Sequence, residues 1–137
     1  MNEETKALAE KLARILYDKK AVDIIGIPVS DKTIIADWFL IASGRSVTQI
    51  RALADDLEDK AKEELGITPL RKEGYDDARW VVLDYGDILV HLFHPEERQH
   101  YSIERLWDTD GNAVRFSDTW ASEDKAAQLA KLKAEEN

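Results

Sequence analysis

The chain contains no cysteine, which excludes a disulfide framework, thiolate metal ligands and cysteine nucleophiles. Long apolar runs are also missing. The longest, residues 38–42, has the length of a strand and falls far short of the roughly 20 residues that span a bilayer, so no membrane association is expected. The opening residues MNEETKALAEK are acidic and helix-forming rather than signal-like, and a cytoplasmic location is expected. Positive charge is scarce: 19 Lys and Arg stand against 28 Asp and Glu, for a net charge of −9. A phosphate backbone rewards basic surfaces, so direct or sequence-specific binding to naked nucleic acid is disfavoured. An acidic protein still docks readily on a basic one, including a protein component of a nucleic-acid machine. The phosphate-binding patterns GxGxxG and GxxxxGK[ST] do not occur, and no nucleophile elbow is present.

What remains is enough for a single core: 137 residues, 44% of them hydrophobic. The organising stretch is residues 76–107. Two β-prone runs, residues 79–85 and 88–93, are separated by Gly86-Asp87, and glycine at the first of two loop positions suits a type II′ hairpin turn. Pairing Tyr85 with Ile88 then sets Leu83 against Val90 and Val81 against Leu92, an apolar face broken by one phenolic hydroxyl. The opposite face carries Trp80 with Phe93, Val82 with His91 and Asp84 with Leu89. The first face is expected in the core. The second, with His91 half-buried on it, is expected to serve interaction.

Helical spacing of Leu8, Leu12, Ile15 and Leu16 predicts a helix over residues 3–20, with acids at its start and Lys19-Lys20 at its end. Residues 22–29 read as a strand that Pro28 places at an edge or terminus. Residues 37–43 read as a central strand covered on both faces. Ser46 with Gln49 forms a capping box for a helix over residues 47–65, which Gly66 ends. Residues 67–74 are expected as a connector with a short edge strand. Pro95, Glu96 and Glu97 begin a short helix that folds back beside the hairpin, and Ile103, Leu106 and Trp107 supply the next apolar contacts. After the turn-forming residues 108–112, residues 113–116 predict a last short strand. From Ser122 a marginal helix has Ala126, Leu129 and Leu132 to bury.

Chemistry finds little support. His91 and His94 on one strand point to opposite faces, a poor start for shared ligation with His100. Asp55-Asp56, Asp76-Asp77 and Asp108 with Asp110 fall in turns or on a helix. No metal, cofactor or catalytic residue is expected. A nucleotidyl-transferring enzyme would need carboxylates converging on magnesium, and Asp37 with Asp84 is the available pair.

The run from Asp37 to Gly44 followed by Ser46, the pair Glu73-Gly74, the run from Trp80 to His91 and the series Tyr101, Glu104, Leu106 and Trp107 together resemble the ribosomal silencing factor RsfS, or Iojap, family. The resemblance covers residues 5–107. It implies an α/β fold in which helices flank a mixed sheet, similar to nucleotidyltransferases without their catalytic carboxylates. It further implies a non-enzymatic protein that binds the large ribosomal subunit through ribosomal protein L-fourteen. Binding there would block small-subunit joining and lower translation under nutrient limitation, with subunit assembly as the related role. A homodimer is implied for the free protein. The residues carried over for ribosomal-protein binding are Trp80, Asp84, His91, Arg98, Tyr101, Glu104 and Trp107, with Trp80 as apolar anchor. Bland readings stand beside them: Asp84 capping the hairpin turn, Arg98 pairing with Glu97 or Glu104, Trp107 closing the core. Residues 1–107 read as the family-like domain and residues 108–137 as an extension of open role.

Overall fold

Two six-residue strands, β2 (Trp38–Ser43) and β5 (Ile88–Phe93), lie parallel in the middle of the sheet, and every residue of both is buried. The computed structural model describes residues 3–136. Around this pair the sheet has six strands in the order β3-β4-β5-β2-β1-β6, where β1 is Val22–Pro28, β3 Arg71–Glu73, β4 Trp80–Asp84 and β6 Val114–Arg115. All neighbours other than β2 and β5 pair antiparallel. Strand register follows the alternation of side chains: Trp80 pairs Phe93, Val82 pairs His91 and Asp84 pairs Leu89. Gly86 adopts φ +86° and the Tyr85 N–H donates to the Ile88 carbonyl at 2.9 Å, which closes the expected two-residue turn.

One sheet face is covered by α1 (Glu3–Asp18), α2 (Val47–Leu65) and α5 (Phe116–Glu136). Leu12 and Leu16 of α1, with Ile50, Leu53 and Leu57 of α2, meet Leu40, Val81, Leu83, Val90 and Leu92 from the sheet. Ser46 caps α2 by accepting from the Gln49 N–H at 3.1 Å, while the Gln49 amide oxygen accepts from the Arg45 N–H at 2.6 Å. Gly66, in the left-handed region, terminates that helix. The Tyr85 hydroxyl is buried here with no hydrogen-bond partner among the described residues, and burial, with Glu58 adding to it, pushes its pKa well up.

At the far side of the sheet one sequence expectation holds and one changes. Pro28 is the last residue of its strand, as one of its two readings had it, and β6 pairs beyond β1. The last helix begins at Phe116 rather than Ser122, and Phe116 and Trp120 are both buried in the main core. Their approach depends on Gly26, where an added Cβ would stand 2.7 Å from the Phe116 ring. Residues 121–135, by contrast, are exposed throughout.

The other face is covered by α3 (Pro95–Tyr101) and α4 (Ile103–Trp107), which break at Ser102 (φ +48°). Beneath them Phe39, Ile41, Leu89 and Phe93 form a second apolar cluster with Ile25, Ile27 and Ile103.

This division of the last helix predicts opposite outcomes for two truncations. Ending the chain after Lys125 should cost less than about 1 kcal/mol, since exposed surface is removed. Ending it after Asn112 should abolish cooperative unfolding, because β6, Phe116 and Trp120 are lost together. Urea titration followed by circular dichroism separates the two.

Candidate functional site

Lid helices α3 and α4 span the β5 half of the second face and leave the β4 half partly open. His94 caps α3 by accepting from the Glu96 N–H at 3.3 Å, and Pro95 follows in the first turn. The lid is clamped by Arg98. Its guanidinium donates two parallel bonds to the Glu104 carboxylate, at 2.8 and 2.9 Å, and a third to Ser43 Oγ at 2.9 Å. Arg98 is itself buried. Its hydrogen bonds, and after them its charge, hold the Glu104 carboxyl below the usual carboxylate range, more than partial burial raises it. Arg98 thus pairs with Glu104 rather than Glu97, whose carboxylate accepts from Arg79 at 2.7 Å.

The open half is aromatic. Trp80 stacks on Phe93 with ring centroids 4.8 Å apart, and Tyr101 from α3 lies over Trp80 at the same separation. Tyr101 is half-exposed, and Leu106 is 67% exposed although the sequence pattern had it facing inward. Ile103 makes the inward contact. Trp107 is half-buried with its ring edge-on to Phe39, 5.1 Å between centroids. The position of Trp80 against β5 also requires Gly74, where φ is +79° and a Cβ would fall 2.1 Å from the Trp80 carbonyl oxygen.

His91 is buried rather than half-buried, because the lid and its aromatic neighbours close over it. Its Nδ1 accepts from the Trp80 indole N–H at 3.1 Å, so the neutral ring carries its proton on Nε2. Among the described residues Nε2 has no hydrogen-bond partner. Burial lowers the His91 pKa from 6.5 to about 4. Asp84 is also committed: its carboxylate accepts from the Gly86 N–H at 2.8 Å and from Arg71 at 3.4 Å. It caps the hairpin turn.

The seven residues singled out from the sequence therefore divide. Trp80 and Tyr101 form a partly exposed aromatic stack, Trp107 lies half-buried against Phe39, Arg98 and Glu104 hold the lid, His91 supports Trp80 from below, and Asp84 shapes the turn. The pairing of Ser43 with Arg98, which completes the clamp, was not legible in the sequence, since the two lie 55 residues apart.

Two outcomes follow from this wiring. Arg98→Met should destabilise the fold by about 3 kcal/mol, because the Glu104 carboxylate and Ser43 lose their partner at a buried site; chemical denaturation at neutral pH measures it. For His91 the unfolded chain takes up a proton near pH 6.5, which the fold refuses until about pH 4. Its contribution is therefore complete above pH 6.5 and is lost as pH falls toward 4, on the order of 3 kcal/mol in all. Urea titrations across that window should show His91→Gln losing correspondingly less stability than wild type. Parallel curves would assign the acid sensitivity elsewhere, to Glu104 first.

Over residues 2–137 the chain matches the family model described as "Ribosomal silencing factor during starvation". The ribosomal silencing factor RsfS of Bacillus subtilis is 41% identical over 102 residues, covering 74% of this chain and 86% of that protein. A mouse protein, "Mitochondrial assembly of ribosomal large subunit protein 1", is 33% identical over 100 residues, 72% of this chain and 44% of its own length. A crystal structure of a Chromobacterium violaceum protein superposes with a TM-score of 0.69 at 37% identity, covering 74% of this chain and 84% of that one. The two-faced mixed sheet and these matches place the chain in the ribosomal silencing factor (RsfS) family.

Proposed function

We propose that this protein binds the large ribosomal subunit through ribosomal protein L-fourteen and sterically prevents the small subunit from joining, repressing translation under nutrient limitation. The observation that carries the reading is the Tyr101–Trp80 stack, held half-exposed by a rigid sheet on an otherwise acidic protein. Aromatic anchors in water are the usual energetic centre of a protein interface, and the net charge of −9 favours a basic partner. In this reading Trp80, Tyr101 and Trp107 make the contact. Arg98, Glu104 and His91 keep them in place, and Asp84 sets the hairpin beside them. No bond is made or broken, so no catalytic group or cofactor is required.

An enzymatic reading is less well supported by the geometry. Asp37 and Asp84 stand at strands separated by β5, and the Asp84 carboxylate is occupied by Gly86 and Arg71. A role in large-subunit assembly, in keeping with the name of the mouse relative, would use the same surface and differ in timing. For the free protein we infer a cytoplasmic homodimer.

Cosedimentation with isolated large subunits, small subunits and joined ribosomes tests the proposal. Wild type should pellet with large subunits and reduce their joining. Tyr101→Ala should weaken that binding by about 2 kcal/mol, roughly 30-fold, with little change in stability. Trp80→Ala is the poorer probe, since it also strips the His91 Nδ1 bond and the Phe93 stack. If wild type pellets with neither subunit at low or moderate salt, the proposal fails.

A further inference from the structure

The segment between β1 and β2 holds two isoleucines outside the fold. Ile34 is fully exposed, at 102%, and Ile35 is 59% exposed. Single exposed apolar residues are ordinary, but two adjacent ones on a braced tip need a reason. The bracing is extensive. Val29 and Ala36, flanking the tip, are buried, and the Val29 N–H donates to the Asp37 carbonyl at 2.8 Å. The N–H groups of Lys32 and Thr33 both donate to the Val29 carbonyl, and Thr33 Oγ1 accepts from the Ile35 N–H at 3.2 Å. The Lys32 ammonium bridges Asp31 at 3.3 Å and Asp110 at 2.6 Å, tying the tip to the turn after α4. A loop held this way has already lost the entropy that binding would otherwise cost.

The surroundings are acidic. The Asp37 N–H donates to the Asp87 carbonyl at 2.7 Å, which brings the hairpin turn alongside. Asp31, Asp37, Asp87 and Asp110 thus gather about the tip, and the cation among them, Lys32, is shared by two of the four. We propose that Ile34 and Ile35 form an apolar plug that enters an apolar pocket on a basic protein surface. A membrane is a poor occupant, because the carboxylates repel anionic headgroups and two isoleucines bury little area. A second copy meeting tip to tip would set carboxylates against carboxylates. The tip lies where β2 begins, whereas Ser43 and the Arg98 clamp lie where β2 ends. It is therefore a contact separate from the Tyr101–Trp80 stack. The inference rests on the large-subunit reading, to which it adds a second attachment point that fixes orientation.

The test measures large-subunit affinity of wild type, the double variant I34S/I35S, and D87N, with light scattering of each free protein. I34S/I35S should keep the wild-type denaturation midpoint and bind about 10-fold to 30-fold more weakly. D87N should bind with a weaker dependence on salt concentration. If I34S/I35S binds as wild type while Tyr101→Ala is impaired, the plug is overturned and the function stands. If the double variant instead changes the oligomeric state of the free protein with no loss of subunit affinity, the occupant is a second copy and the proposal is likewise overturned. If wild type itself does not bind, the functional reading fails and the plug falls with it.

Discussion

The fold depends on one constraint: its two central strands are parallel and apolar on both sides. A parallel pair of this kind is stable only when each face is shielded from water. One face has ample cover, because α1, α2 and α5 bring leucines, isoleucines and two aromatics to it. For the other face the chain supplies seven residues of α3 and five of α4. Helices so short do not persist in water by propensity, since nucleation costs more than a turn or two of hydrogen bonds return. The clamp from Arg98 to Glu104 and Ser43 supplies what propensity does not, joining both helices to the end of β2 through one buried guanidinium.

The exposed surface follows from the length of this lid. It reaches across β5, so that Leu89, His91 and Phe93 are buried, and it stops above β4, where Trp80 and Val82 stay partly open. Tyr101, the last residue of α3, falls on Trp80 because the helix ends there. A longer lid would have made this face an ordinary core, and a shorter one would have left the parallel strands wet. The aromatic strip is the margin between those two outcomes.

Features governed by local rules were legible in the sequence. The Gly86-Asp87 spacing and the period-two alternation determine the hairpin register, and Ser46 and Gly66 mark the limits of α2. Features that depend on distant partners were not. Alternation puts His91 on the face of Trp80, yet says nothing of the lid that buries both His91 and Phe93. Phe116 and Trp120, four residues apart, carried a helical signal at the start of α5, but the adjacent strand residues masked it. Their counterpart is Gly26 in β1, whose missing side chain reads as a weakness in a strand until Phe116 is seen against it.

Most titratable groups on this side of the sheet are engaged by the structure itself. Arg98 and Glu104 satisfy each other, and His91 is kept neutral by burial with its Nδ1 engaged by Trp80. Asp84 is spent on the hairpin turn and Arg71. Arg98, Glu104 and Asp84 are thus committed to structure, and His91 is enclosed with its Nε2 unpartnered among the described residues. At neutral pH the same commitments keep the lid closed and the Tyr101–Trp80 stack in one position. A rigid, half-wet aromatic surface loses little entropy on docking, so its affinity can come from a few side chains. The obstruction proposed above asks only that a surface be occupied in a fixed pose, and the lid, its clamp and the buried histidine hold that pose.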